Sequence, residues 1–147
     1  RLERRVAVDR LRNVTFTGRV AQEHVPNLLA DADIQIVSLA AKPFLSRTTP
    51  SKIPSLLASG VPIIAQLSGD GASLVENAGA GTVVRPGDSA ALADAIASTA
   101  DGGPELWNNL GRSGCAFYES NLSAAASSQQ ILSALASMSD DKHWGTG

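Results

Sequence analysis

The residues best suited to chemistry cluster in "SRTTPSKIPSLLASG", where Arg47, Thr48, Thr49, Ser51 and Lys52 precede a short apolar run with helical spacing. Ser51 is placed to cap that helix. Lys52 then falls in the first turn, where the helix dipole disfavours a cation. A bound anion reverses that sign, because helix N–H groups and a lysine both attract phosphate. Pro54 suits the first turn, since its missing N–H has no helical partner there. The chemistry implied is phosphate binding, with Arg47 and Lys52 flanking one helix mouth. Solvated surface charges beside two turn-stiffening prolines, Pro50 and Pro54, are the other reading, and local sequence leaves both open.

Two further turns have the composition of a ligand rim. Gly18-Arg19-Val20 follows the β-branched and aromatic run "VTFTG", and Ser68-Gly69-Asp70-Gly71 follows "PIIAQL". Glycine lets a backbone approach a ligand closely, but it also serves a plain turn that needs positive φ. No G-x-G-x-x-G follows the first expected strand, and no Walker sequence occurs. His24 and His143 lie far apart and Cys115 is the single cysteine, so no metal set assembles. Ser46, Ser51 and Ser55 have no evident His–Asp partners for a hydrolase triad. Trp107, Phe117 and Tyr118 sit at helical spacing, as core residues do.

These turns need elements to hold them. Apolar or β-branched runs at 14–18, 34–39, 62–67 and 81–86 predict four strands. Helical periodicity predicts helices over 2–9, 23–33, 51–59, 72–78, 89–100, 104–121 and 123–138. Gly60 and Pro62 end the third of these, and Asp88 or Ser89 caps the fifth. The strands are nearly continuous apolar runs that alternate with helices, the pattern of parallel strands covered on both faces. The expected fold is an open, doubly wound, mainly parallel α/β sheet in one domain over 1–138, with a flexible tail at 139–147. In such sheets ligands lie at the carboxyl ends of the strands, so all three turns open on one edge.

Composition narrows the function. The chain has 147 residues, and 12 Lys and Arg against 14 Asp and Glu leave a net charge of −2, which argues against nucleic acid as the main partner. Aromatic residues are 4%, so Ala, Val, Leu and Ile fill the core. One cysteine excludes an internal disulfide and fits a reducing compartment. No apolar run approaches the ~20 residues that span a bilayer, and no signal peptide is evident.

The order of these pieces, "NVTFTGRV", "HVPNLLADADIQIVSL", "TTPSKIPSLLASGVPIIA" and "GDGASLVENAGAGTVVRPGDSAALADAI", resembles the C-terminal half of a group 1 (family 4) retaining glycosyltransferase of the GT-B fold. The likeness covers roughly residues 12–135, and its "PSK" element is similar to the branch that builds surface polysaccharides and lipid-linked glycans. It implies a half that binds a nucleotide diphosphate sugar, without cofactor or metal, while an N-terminal half binds the acceptor. Gly18, Arg19 and Val20 would then lie beside the nucleobase. Thr49, Ser51 and Lys52 would lie at the diphosphate or donor sugar, with the Gly69–Gly71 turn closing the pocket. A cytoplasmic location, with contact at the inner membrane face where the acceptor is lipid-linked, is the matching expectation.

The chain departs from the family pattern in two ways. Many members carry a pair of glutamates, one on the donor sugar and one on the ribose, where this sequence has Arg47 and Ser55. Serine still hydrogen-bonds a ribose, less strongly than a carboxylate, and arginine can touch phosphate. A non-catalytic nucleotide-sugar-binding module, or a sugar-nucleotide epimerase of related architecture, are therefore the rival readings. The family's donor half also begins with a strand, a helix and a second strand that precede the part present here. Their loss leaves a gap in the sheet, so the resemblance predicts either further residues that fill it or two chains pairing across it.

Overall fold

The computed structural model describes residues 2–40 and 50–140. Three parallel strands, β1 (Gln35–Ser38), β2 (Ile63–Gln66) and β3 (Gly81–Val84), form one sheet in the order β1-β2-β3. Their register aligns Gln35, Ile63 and Gly81 at the amino edge and Ser38, Gln66 and Val84 at the carboxyl edge. Parallel neighbours require crossovers. Helix α3 (Ile53–Ala58) lies between β1 and β2 in the chain, and α4 (Asp70–Asn77) between β2 and β3.

The sheet is α/β and parallel, as expected, but one expected strand is not part of it. Residues 14–18 carry no strand pairing, and Val14 and Phe16 remain 41% and 45% exposed. Strand propensity reports a fit to a pleated, half-buried surface, and a segment with no neighbour has no such surface to join. Strand β1 pairs only with β2, so its other edge is open among the described residues and Ile36 is half exposed. Upstream, α1 (Leu2–Val8) buries none of its residues. A 3-10 turn (Gln22–His24) leads into α2 (Val25–Ala30), which reaches the core through Leu29.

The centre of the molecule is β2, all four of whose residues are buried. Ile53 and Leu57 of α3, Leu67, and Val75 of α4 close over it. Three more helices follow, α5 (Ser89–Asp101), α6 (Gly103–Asn121) and α7 (Ala124–Asp140). Helix α6 packs on α3 where Gly111 meets the Gly60 carbonyl so closely that any Cβ there would overlap it. The Trp107 indole N–H donates to the Thr99 carbonyl at 2.6 Å, which ties α6 to α5. Trp107, Phe117 and Tyr118 are all partly buried, in keeping with a packing role. The stripe of α7, by contrast, faces water: Ile131, Leu135 and Met138 are each more than half exposed. The expected tail beyond 138 lies outside the described residues, apart from the last two positions of α7.

Candidate functional site

The carboxyl edge of the sheet is where the expected ligand turns must meet. Strand β2 ends at Gln66, and its backbone carbonyl accepts from the Leu39 N–H at 3.0 Å. The Gln66 side chain is 7% exposed, and both of its polar ends are bonded. Its Oε1 accepts from the Ser38 hydroxyl at 2.8 Å, and its Nε2 donates to the Asp88 carbonyl at 2.9 Å. Asp88 in turn caps α5, its carboxylate accepting from the Ala91 N–H at 2.9 Å. One side chain thus joins the ends of β1 and β2 to the turn after β3. Sequence reasoning missed Gln66; its signal was a lone amide ending the apolar strand "PIIAQL".

The turn into α3 differs from expectation in detail. Ser51 does not cap the helix: Lys52 occupies the cap position, and its side chain makes no capping bond. The helix begins at Ile53, which is fully buried and pulls the start of the helix one residue further along. Pro54 stands in the first turn, as expected. Ser51 and Lys52 are both exposed, and Lys52 makes no ion pair among the described residues. A six-residue helix contributes little dipole, so attraction for an anion here rests on the ammonium charge itself. Arg47 and Thr49 lie outside the described residues.

The turn into α4 is brought against it. Gly69 caps α4 at φ +75°, a left-handed conformation that glycine adopts without strain. Its carbonyl accepts from the N–H groups of Ala72 and Ser73. Gly71 is buried in the first turn, and a Cβ there would lie 2.9 Å from Pro50 Cδ and 3.1 Å from Ile53 Cδ1. The absence of a side chain at Gly71 is therefore what lets the two turns, 50–53 and 69–71, touch. Asp70 sits in the same turn of α4 and already complements its dipole. Of the two mouths, the one carrying Lys52 is the electropositive one.

The nucleobase and ribose candidates stand apart from this pair of turns. Gly18 takes φ +67° with open space around it, Arg19 is exposed and Val20 is half-buried. Ser55 lies on the exposed side of α3, in an open cleft of about 430 Å³ that also meets Gln22, Val25, Leu29, Ser59 and Tyr118. That cleft runs between α2, α3 and α6 and does not include Lys52, Gly69 or Gly71. The structure thus brings Ser51, Lys52, Gly69 and Gly71 to one place and puts Ser55 one helical turn along, beside the Gln22 that follows Val20.

Comparison with known proteins decides the family. The model for "Glycosyl transferases group 1" matches residues 1–101, about two thirds of the chain. The chain belongs to the group 1 glycosyl transferases. Among solved structures, this glycosyltransferase chain is similar to HepE of Anabaena, crystallised in complex with UDP-glucose, at 24% identity and a TM-score of 0.75 over 92% of the chain. It is equally similar to sucrose-phosphate synthase from Thermosynechococcus elongatus, at 25% identity and a TM-score of 0.75 over 94% of the chain. The chain spans only about a third of each, 36% and 33% of their lengths. Comparison with curated proteins gives no match. Among the described residues, no helix is long and apolar enough to cross a membrane.

Proposed function

We propose that this chain is the donor side of a retaining glycosyltransferase. It holds the nucleotide diphosphate of an activated sugar at the carboxyl edge of its sheet, for transfer to a glycan or lipid-linked acceptor carried elsewhere. The observation that carries this reading is the contact of the 50–53 and 69–71 turns through Gly71, with the Lys52 ammonium exposed beside them and in no ion pair among the described residues. Charge develops on the leaving diphosphate as the sugar–phosphate bond breaks, and a cation held beside it lowers the energy of that state. Ser51 and Lys52 would contact the diphosphate, with Thr49 and Arg47 from the preceding residues. Gly69 and Gly71 would line the same wall. Gly18, Arg19 and Val20 would flank the base, and Ser55 would accept from or donate to the ribose.

Calorimetric titration tests this reading. UDP-glucose, the ligand of the Anabaena relative, is the first probe, followed by GDP and ADP. We expect at least one to bind the chain, and we expect Lys52→Ala to weaken that binding about tenfold, as loss of one charge-stabilising group does. Binding that ignores Lys52→Ala removes this lysine from the site.

A second reading is favoured by one specific observation: neither Arg47 nor Ser55 is a carboxylate. A module that binds nucleotide sugar without turning it over would retain the diphosphate contacts and lose the grip on the ribose and donor sugar. Ser55→Glu tests where the ribose lies, since it should tighten nucleotide binding if the ribose lies against α3 and leave it unchanged if it does not; the two readings themselves separate on whether the bound donor sugar is transferred or stays intact.

A further inference from the structure

We infer that Gln66 is a positioning residue for the proposed donor site, holding the carboxyl-edge turns in the arrangement that a nucleotide diphosphate needs; the inference rests on the function proposed above. Gln66 is buried to the same degree as the core residue Leu56, and burying an amide costs stability for each polar atom left unbonded. Its orientation follows from chemistry. The Asp88 carbonyl can only accept, so the amide nitrogen must face it, which leaves the oxygen for the Ser38 hydroxyl. The backbone ladder of the sheet ends at this level, with Ser38, Gln66 and Val84 in register. Beyond it the chain fans into separate turns, and the Gln66 side chain ties two of them together. One is the end of β1. The other is the Asp88 turn, which also caps α5. Gln66 is itself followed, three residues on, by Gly69, the cap of α4.

A second glutamine in the same sheet supplies the control. Gln35 is 5% exposed and opens β1 at the opposite, amino edge. Its Nε2 donates to the Leu29 carbonyl at 3.1 Å and to the Ser59 hydroxyl at 2.6 Å. Ser59 already donates to the Leu56 carbonyl, so it accepts from Gln35, and Gln35 Oε1 is left buried without a partner. The two residues share a type, a sheet and a degree of burial, and differ in the edge they serve. Two amides that only support the fold would affect stability alone. A positioning amide at the ligand edge must also affect affinity.

The test compares Gln66→Leu with Gln35→Leu in the 147-residue chain. Binding of UDP-glucose, GDP and ADP is read by calorimetry, and backbone hydrogen exchange is read over residues 67–73 and 85–91. For Gln66→Leu we expect Kd to rise about tenfold and exchange in both segments to quicken, since small misplacement of a binding group carries losses of that size. For Gln35→Leu, whose partners Leu29 and Ser59 line the cleft of Ser55, the control readout is exchange, and we expect a shifted Tm with the rates in both segments unchanged. Ser38→Ala removes half of the bridge from its exposed end without emptying the core, and should raise Kd about threefold, the effect of one modest hydrogen bond. Equal changes of exchange over 67–73 and 85–91 in the two glutamine variants, or an unchanged Kd in both Gln66→Leu and Ser38→Ala, overturns the positioning role. Failure of the unaltered chain to bind any of the three nucleotides overturns the donor-site reading, and the positioning role with it.

Discussion

Residues 2–18 and residues 53–67 both carry regular apolar side chains, and the two stretches behave differently. Leu2, Val8, Leu11, Val14 and Phe16 are all more than two-fifths exposed. Ile53, Leu57, Ile63 and Ile64 are essentially inaccessible. The second stretch is wrapped around β2, with a strand on each side and helices over it. Among the described residues the first has no sheet to lie on, because β1 presents an open edge and nothing there pairs with residues 14–18. Burial belongs to the layer arrangement rather than to the segment, since an apolar stripe is stabilised only by a second surface that removes it from water.

That contrast is easiest to break by truncating one side chain in each stretch. Leu57→Ala should lower unfolding free energy by about 2–5 kcal/mol, whereas Leu11→Ala should change it by less than about 0.5 kcal/mol. Urea melts of both variants are sufficient, and equal losses would mean that the N-terminal stretch is packed after all. Gly71→Ala probes the close approach of the two ligand turns. The added methyl meets Pro50 and Ile53, and overpacking of this kind should remove about 1–3 kcal/mol while also weakening nucleotide binding. A stable variant with full affinity would show that the turns can separate without consequence. The open edge of β1 sharpens the comparison in another way. If copies of this chain pair there, light scattering should report more than one copy per particle, and Ile36→Lys, a charge on the edge strand, should return it to one. A particle of a single copy in both samples would leave the edge to water or to another segment. The smallest change in affinity is the roughly threefold one expected of Ser38→Ala.

Much of the chain's architecture is legible residue by residue. The strand runs at 34–39, 62–67 and 81–86 contain β1, β2 and β3, and the helical stripes from 51 to 138 match α3 to α7 within a few residues. Asp88 is one of the two caps that the sequence offers for α5, and the structure selects it. The parallel character of the sheet is visible in the unbroken apolar strands, but cover on both faces holds only for β2, since β1 is exposed on alternate residues and β3 buries none of its four. These features depend on periodicity and on contacts within a few residues, which any reader of the chain can count.

The site was less legible, because its geometry is made by residues distant in the chain. Ser51 has the right chemistry for a cap, yet burial of Ile53 against the core places Lys52 in that position. Gly71 reads as one glycine of a loose turn, and only its contact with Pro50 shows that it joins two turns. Gln66 reads as an interruption of a strand, and only the positions of Ser38 and Asp88, each more than twenty residues away, make it a bridge. The run at 14–18 has every local mark of a strand and forms none. By itself, then, the sequence determined where most of the helices and three of the four expected strands form, and which family they belong to, since backbone preference and side-chain periodicity are short-range. Tertiary structure alone decided which strands pair, which helix mouths touch and which amide is satisfied, since hydrogen bonding and close packing require a partner that the local sequence does not name.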